Sequence, residues 1–310
     1  MPHLLTRAAL TTLGAVGAVG TASAVWGIGI ERYLFTLREH QLQLLPAGAR
    51  PLRILHLSDA HMAPWQRTKQ RWIAGLAALE PDLIVNTGDN LGHPLGLDGI
   101  RAAFGPFRGI PGLYVHGSND HVAPSPRNPF KYFHGPSKIK SEPELLDTGL
   151  LDRYLADELG WHDLNNSVAA VDVDGVRLHA FGVNDAHRGW DRLDSLHEPL
   201  ERMRQDDDAA VTIGVTHAPY RRVLDAFVDL GADAIFAGHT HGGQVRLPGV
   251  GALVANCDIP LDQARGLSTW SHAGRVAPLN VSAGLGHSIY APVRFACRPE
   301  ATLITVLPGR

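Results

Sequence analysis

Short apolar runs recur along the chain, and each one stops at a cluster of polar residues. Leu52–Leu57, Asp82–Asn86, Leu113–Val115, Val211–Val215 and Ala234–Ala237 all follow this pattern. Runs this short, bounded by turn residues, predict buried strands rather than helices. Longer mixed stretches around Gln66–Leu79 and over Leu150–Leu159 predict helices. Val168–Val173 and Val176–Phe181 flank Asp174-Gly175, a turn pair that predicts a hairpin. Residues 122–150 are Pro-rich and aromatic and read as an irregular excursion. The tail alternates turns with strands at Ala252–Ala255 and Ala301–Leu307.

The amino-terminal pattern differs from the rest. Ala8 to Ile30 carries no charged residue, with Arg7 before it and Glu31 and Arg32 after it. As a helix, that length crosses a hydrocarbon core of roughly 30 Å. Its Gly content (Gly14, Gly17, Gly20) keeps the hydrophobicity modest, and Ala22-Ser23-Ala24 resembles a small-residue cleavage site. Residues 1–32 are therefore expected to be a hydrophobic helix serving as a membrane anchor or an export signal. Either role puts the following domain outside the cytoplasm. Arg7 competes with Arg32 and Arg38, so flanking charge says little about orientation. Residues 33–50 read as a polar connector and 51–310 as the catalytic domain.

Composition narrows the function. The 310 residues are 45% hydrophobic and 19% charged, ordinary for a folded protein with a large core. A net charge of −3 supplies no basic field for a nucleic-acid backbone. The two cysteines, Cys257 and Cys297, cannot make a thiolate metal site. They read as small buried apolar residues, or as one disulfide. Histidine is plentiful at 17 residues and clusters with Asp and Asn. Five apolar strands end directly in such residues: Asp59 and His61, then Asp89, Asn119, His217, and His239 with His241. Loops at strand ends converge above a rigid sheet, which is where ligands bind in α/β proteins. Mixed carboxylate, imidazole and amide donors suit Mn, Fe or Zn better than Ca or Mg.

Asp59-x-His61, Gly88-Asp89, Gly117-Ser118-Asn119-Asp120, His217 and Gly238-His239-Thr240-His241 together resemble the calcineurin-like metallophosphoesterase superfamily. GHTHGGQVRLP (238–248) and RFACRPE (294–300) resemble its membrane-associated bacterial branch, which includes UDP-2,3-diacylglucosamine hydrolases. The resemblance implies an α/β (α+β) fold, a four-layer αββα sandwich of two mixed β-sheets flanked by helices. It also implies two divalent metal ions: Asp59, His61 and His241 on one, Asn119, His217 and His239 on the other, and Asp89 bridging. Two cations against Asp59, Asp89 and a bridging hydroxide leave about one positive charge to attract a phosphate ester. If His239 and His241 serve different metals, Gly238, Gly242 and Gly243 must let the backbone turn.

One motif departs from the superfamily's usual Gly-Asn-His-Asp/Glu. Keeping Asn119 as a ligand puts Asp120 where the imidazole acid belongs, so the acid is Asp120, the shifted His121, or absent. His56 and His116 read as structural. His187 and His287 either face the site or are structural. Arg127, Lys131, Lys138 and Lys140 form a basic loop that grips an anion or is merely solvated. The expected reaction is hydrolysis of a phosphoester or pyrophosphate by a metal-bridging hydroxide, on a phosphorylated small-molecule or lipid-linked substrate at the membrane. Alternatives are a broad nucleotide phosphodiesterase and a non-catalytic metal-binding envelope module. No nucleic-acid or protein partner is expected.

Overall fold

The computed structural model describes residues 15, 17–125 and 144–309. Two six-stranded mixed sheets form the body. The first runs β1 (Thr36–Leu45), β14 (Glu300–Pro308), β2 (Leu52–Leu57), β3 (Leu83–Asn86), β4 (Gly112–Tyr114), β5 (His162–Asp163). The second runs β12 (Gly266–His272), β13 (Arg275–Val281), β9 (Ala234–Ala237), β8 (Val211–Thr216), β7 (Val176–Val183), β6 (Ser167–Val173). Within each sheet the central neighbours are parallel: β2 with β3 and β4, and β7 with β8 and β9. Parallel strands need both faces covered, which explains their nearly continuous apolar runs.

β2 shows how the layers arise. Alternate side chains point to opposite faces, so Leu52 and Ile54 join one buried cluster while Leu55 and Leu57 join another. The first cluster takes Leu83, Val85, Leu113 and Val115 from one sheet and Val171, Leu178, Ile213, Val215 and Phe236 from the other. It is the core between the sheets. The outer face of the first sheet packs on α1 (Arg67–Gly75) and α2 (Leu97–Phe104) through Ile73, Ile100 and Phe104. The outer face of the second packs on α3 (His197–Asp206) and α4 (Arg221–Asp229) through Leu200, Val223 and Phe227.

Two sequence expectations are corrected. The segment read as a connector carries β1, which pairs in parallel with β14 from Thr36↔Glu300 to Leu45↔Pro308. Ala252–Ala255 is not a strand. Only β11 (Gly251–Ala252) forms, opposite β10 (Arg246–Leu247). The amino-terminal segment is helical over 17–30, and among the described residues no helix is long and apolar enough to cross a membrane. Residues 8–14 and 16 of the uncharged run lie outside the described residues, as do Arg127, Lys131, Lys138 and Lys140.

That segment is docked rather than separate. Glu31 is buried at 3% exposure, and its carboxylate accepts the amides of Ala296 and Cys297 and the indole N–H of Trp26. Gly27 takes the Arg294 amide on its carbonyl, and a Cβ there would sit 2.9 Å from the Arg294 oxygen.

Candidate metal centre

The strand ends deliver their polar residues to one place. Asp59 and His61 leave β2, Asp89 leaves β3, Asn119 follows β4, His217 leaves β8, and His239 and His241 follow β9. Five of these seven adopt left-handed backbone: Asp59 (φ 49°), His61 (φ 40°), Asp89 (φ 52°), His239 (φ 67°) and His241 (φ 49°). For a non-glycine residue this costs about 1–3 kcal/mol, and such strain collects at functional sites. Gly242 (φ 61°) and Gly243 (φ 82°) supply the turn after His241. Gly238 works differently: a Cβ there would lie 2.0 Å from Ser58 Oγ, so the role is close approach.

Asp59, His61 and His241 bring one donor atom each within 4.8 Å of one another, and so do Asp59, Asp89 and His217. His61 Nε2 and His241 Nε2 are 3.1 Å apart, and His241 Nε2 is 3.6 Å from Asp59 Oδ1. Asp89 Oδ2 lies 3.5 Å from His61 Nε2 and 3.6 Å from His217 Nε2, between the two halves of the set. His239 Nδ1 is 3.3 Å from His217 Nε2. Asn119 reaches Asp89 twice, through its backbone amide at 2.8 Å and its side-chain amide at 2.6 Å.

A divalent cation fits this arrangement. Asp59 Oδ1 is buried with no hydrogen-bond partner, while His241 Nε2 lies 3.6 Å and His61 Nε2 4.0 Å from it. The His217 Nδ1–H donates to the Thr87 carbonyl at 2.7 Å, which leaves the Nε2 lone pair for a metal. His239 Nε2 donates to the Asn256 carbonyl at 3.2 Å, which frees Nδ1 in the same way. Behind Asp59, a chain of donors runs from Asn280 through His56, Thr87 and Ser58 to Asp59 Oδ2. His56 is thus structural, and burial lowers its pKa to about 3, keeping it neutral.

The electrostatics describe a site with a cation's place in it. Burial raises Asp59 to about 6. Burial opposes charge on His217, but Asp89, Asp185 and Asp59 raise it to about 9. Burial holds His239 and His241 well below the ordinary imidazole value and His61 at about 4. Ligands must shed protons to bind metal, and three of these imidazoles are already neutral.

Asp120 and His121, the two candidate acids, are each held by hydrogen bonds within the fold. Asp120 Oδ1 accepts the amides of Asn90 (2.7 Å) and Leu91 (3.1 Å), and Oδ2 accepts that of Gly117 (3.1 Å) with His116 Nδ1 at 3.5 Å. Burial would raise its pKa, but His116 and these amides hold it below the usual carboxylate range. This carboxylate staples the Asp89 and Asn119 loops together, and all its lone pairs are engaged. His116 is structural, bound to Asp152 at 2.6 Å. His121 lies edge-on to both His116 and Trp190, with Nδ1 on Thr148 Oγ1.

His187 packs its ring 4.6 Å from that of His239 and bonds the Tyr220 hydroxyl through Nδ1. His287 is buried, its Nδ1 on the Ser288 carbonyl. Cys257 and Cys297 are free thiols.

Three supporting residues escaped the sequence reading. Lys69 is buried and donates to the Ala60 and His61 carbonyls, gripping the first metal loop, and burial lowers it to about 7. Arg294 is fully buried, with its guanidinium on the carbonyls of Ala283, Gly284, Gly286 and Cys297 and 3.4 Å from His241 Nδ1. Asp185 is fully buried, with Oδ2 unpartnered. Only Arg294 lay in a quoted motif.

The calcineurin-like phosphoesterase family model matches residues 52–243, a span that contains every candidate ligand from Asp59 to His241. The chain belongs to the calcineurin-like phosphoesterase family. The phosphoesterase is 25% identical over 301 residues to the uncharacterized metallophosphoesterase YkuE of Bacillus subtilis, covering 93% of each chain. It is 27% identical over 273 residues to the uncharacterized metallophosphoesterase YkoQ of the same organism, covering 86% of this chain and 87% of that one. Among solved structures, TT1561 of Thermus thermophilus aligns with a TM-score of 0.43 at 11% identity, over 76% of this chain and 91% of that one. The protein is a metal-dependent phosphohydrolase with a divalent-metal site built from Asp and His.

Proposed function

We propose that the centre holds two divalent ions, Mn, Fe or Zn, and hydrolyses a phosphoester or pyrophosphate bond of a lipid-linked or envelope substrate at a membrane surface. The observation that carries the two-ion reading is Asp89 Oδ2, within 3.6 Å of imidazoles on both sides. Asp59, His61 and His241 would hold one ion, and His217, His239 and Asn119 the other. Asn119 would turn its amide so that the oxygen, an acceptor, faces the cation. Two such ions lower the pKa of a shared water and clamp the phosphoryl oxygens during in-line displacement.

The protein's own residues keep this geometry ready. Thr87 and Asn256 fix the imidazole tautomers, Asp120 fixes the loop ends, and Lys69 and Arg294 hold the flanking backbone. Asp120, engaged by three amides and held below the usual carboxylate range, does not stand ready to protonate a leaving group, so substrates with weakly basic leaving oxygens should be favoured. The uncharged run from Ala8 to Ile30 supports an exported, membrane-proximal enzyme.

The test uses the full chain with Mn in lipid vesicles, offered bis-p-nitrophenyl phosphate, lipid-linked phosphates and nucleotides. Metal-dependent turnover with a preference for lipid phosphates is expected. A preference for nucleotides would favour the broad phosphodiesterase, and no turnover of any ester would favour a metal-binding module.

A further inference from the structure

A cavity lined by both arginines and apolar side chains lies at the foot of the amino-terminal helix. It measures about 420 Å³ and is walled by Trp26, Glu31, Arg38, Arg265, Phe295 and Arg298. Three arginines thus share its wall with one glutamate. That carboxylate is already occupied: Glu31 accepts the Ala296 and Cys297 amides and the Trp26 indole. Arg38 pairs with Glu300 at 3.1 Å. Among the described residues Arg265 and Arg298 pair with no carboxylate, and Arg265 reaches only the Cys297 thiol at 4.0 Å. A fourth guanidinium stands close by, since Arg246 donates to the Gly242 carbonyl and is held below its ordinary pKa by burial and by Arg265.

Clustered guanidiniums repel one another, and a cavity that keeps them together with too few carboxylates is suited to an added anion. Arginine's planar fork matches the oxygens of a phosphate in particular. The metal ligands are not in this cavity. Cys297 stands between the two, its amide on Glu31 and its thiol on the His241 carbonyl at 3.2 Å. The cavity also sits where the apolar segment ends. Val25, Ile28 and Ile30 are 59%, 45% and 42% exposed, and Trp26 is 40% exposed. An indole at the end of an apolar run is the usual mark of headgroup depth.

We propose that this cavity is a phosphate-binding site apart from the metal centre, filled by the headgroup phosphate of a bilayer lipid. A soluble phosphate shares the chemistry, so the experiment distinguishes the two sources. Bound there, a headgroup would fix the height of the catalytic domain over the bilayer. The proposal stands on the cavity's charge and position and does not depend on the reaction at the metal centre.

Holoenzyme of the full chain in neutral detergent is titrated calorimetrically with dihexanoyl-phosphatidylglycerol and, separately, with inorganic phosphate. The forms compared are wild type, Arg265→Gln/Arg298→Gln and the single variant Arg298→Glu. Phosphate bound at the metals is common to all three and cancels. Losing hydrogen bonds to a charged group should weaken lipid binding by about 10–100-fold in both variants. Turnover of bis-p-nitrophenyl phosphate should stay within about twofold of wild type, since neither arginine touches the metal set. Loss in the lipid arm alone identifies the headgroup, and equal loss in both arms identifies soluble phosphate as the occupant. Unchanged binding in both arms, with Arg298→Glu folded, overturns the proposal.

Discussion

Replacing Asp120 with Asn separates a structural staple from a proton donor. The Asn carbonyl oxygen can still serve the amides of Asn90 and Leu91. Its NH2 then faces the Gly117 amide, 3.1 Å from the present Oδ2, so a donor meets a donor in a fully buried place. One unsatisfied buried donor costs about 1–3 kcal/mol. His116 also loses one of its two anionic partners but keeps Asp152 at 2.6 Å, which limits the further loss to about 1 kcal/mol. The sum is about 3 kcal/mol. At about 2–4 °C per kcal/mol for a domain of this size, Tm should fall by about 6–12 °C at pH 7. Scanning calorimetry of the metal-loaded protein measures this. Turnover of an aryl phosphodiester at 25 °C should fall by about tenfold or less, because the staple acts on the site only through the Asp89 and Asn119 loops. The opposite pattern would refute the reasoning: an unchanged Tm with a loss of about 100-fold or more confined to alkyl phosphodiesters, which need a positioned acid.

Asp89→Asn should lower turnover by several orders of magnitude and deplete bound metal, read by elemental mass spectrometry, while circular dichroism stays unchanged. Gly117→Ala would bring a Cβ to 2.2 Å from Asp89 Oδ1 and 2.7 Å from His217 Cε1, so metal affinity should fall by about 10–100-fold with little change in the sheet cores. His116 is raised to about 10 against burial by Asp120 and Asp152, so its stabilisation is complete below about pH 6.5 and is lost as pH rises through 10. Tm of the metal-free protein should therefore fall between pH 7 and 10, and His116→Gln should flatten that slope.

Much of this protein is local in origin and legible along the chain. β2, β3, β8 and β9 are buried on both faces, so each is a continuous apolar run that stops where the chain leaves the sheet. Asp59, Asp89, His217 and His239 stand at those stops, and their identities announce a metal site. β1 was illegible because it is a half-exposed edge strand whose four consecutive polar residues, Arg38 to Gln41, break both an apolar run and a regular alternation. Its partner, β14, lies more than 250 residues further on, and only that pairing makes it a strand. α2, α3 and α4 were missed for a related reason, since each is specified by one apolar stripe matched to a sheet face. Asp120 shows the limit most clearly. Its sequence neighbours suggest chemistry, but the amides of Asn90 and Leu91, thirty residues away, consume its oxygens. Lys69 and Asp185 likewise carry no local signal, because their importance comes from burial beside the metal loops. The ligand types and the strand ends that bear them follow from the chain itself. Which carboxylate lies between the two halves of the set, which one staples the loops, and where the arginines beside the amino-terminal helix meet are decided by side chains brought together from distant positions.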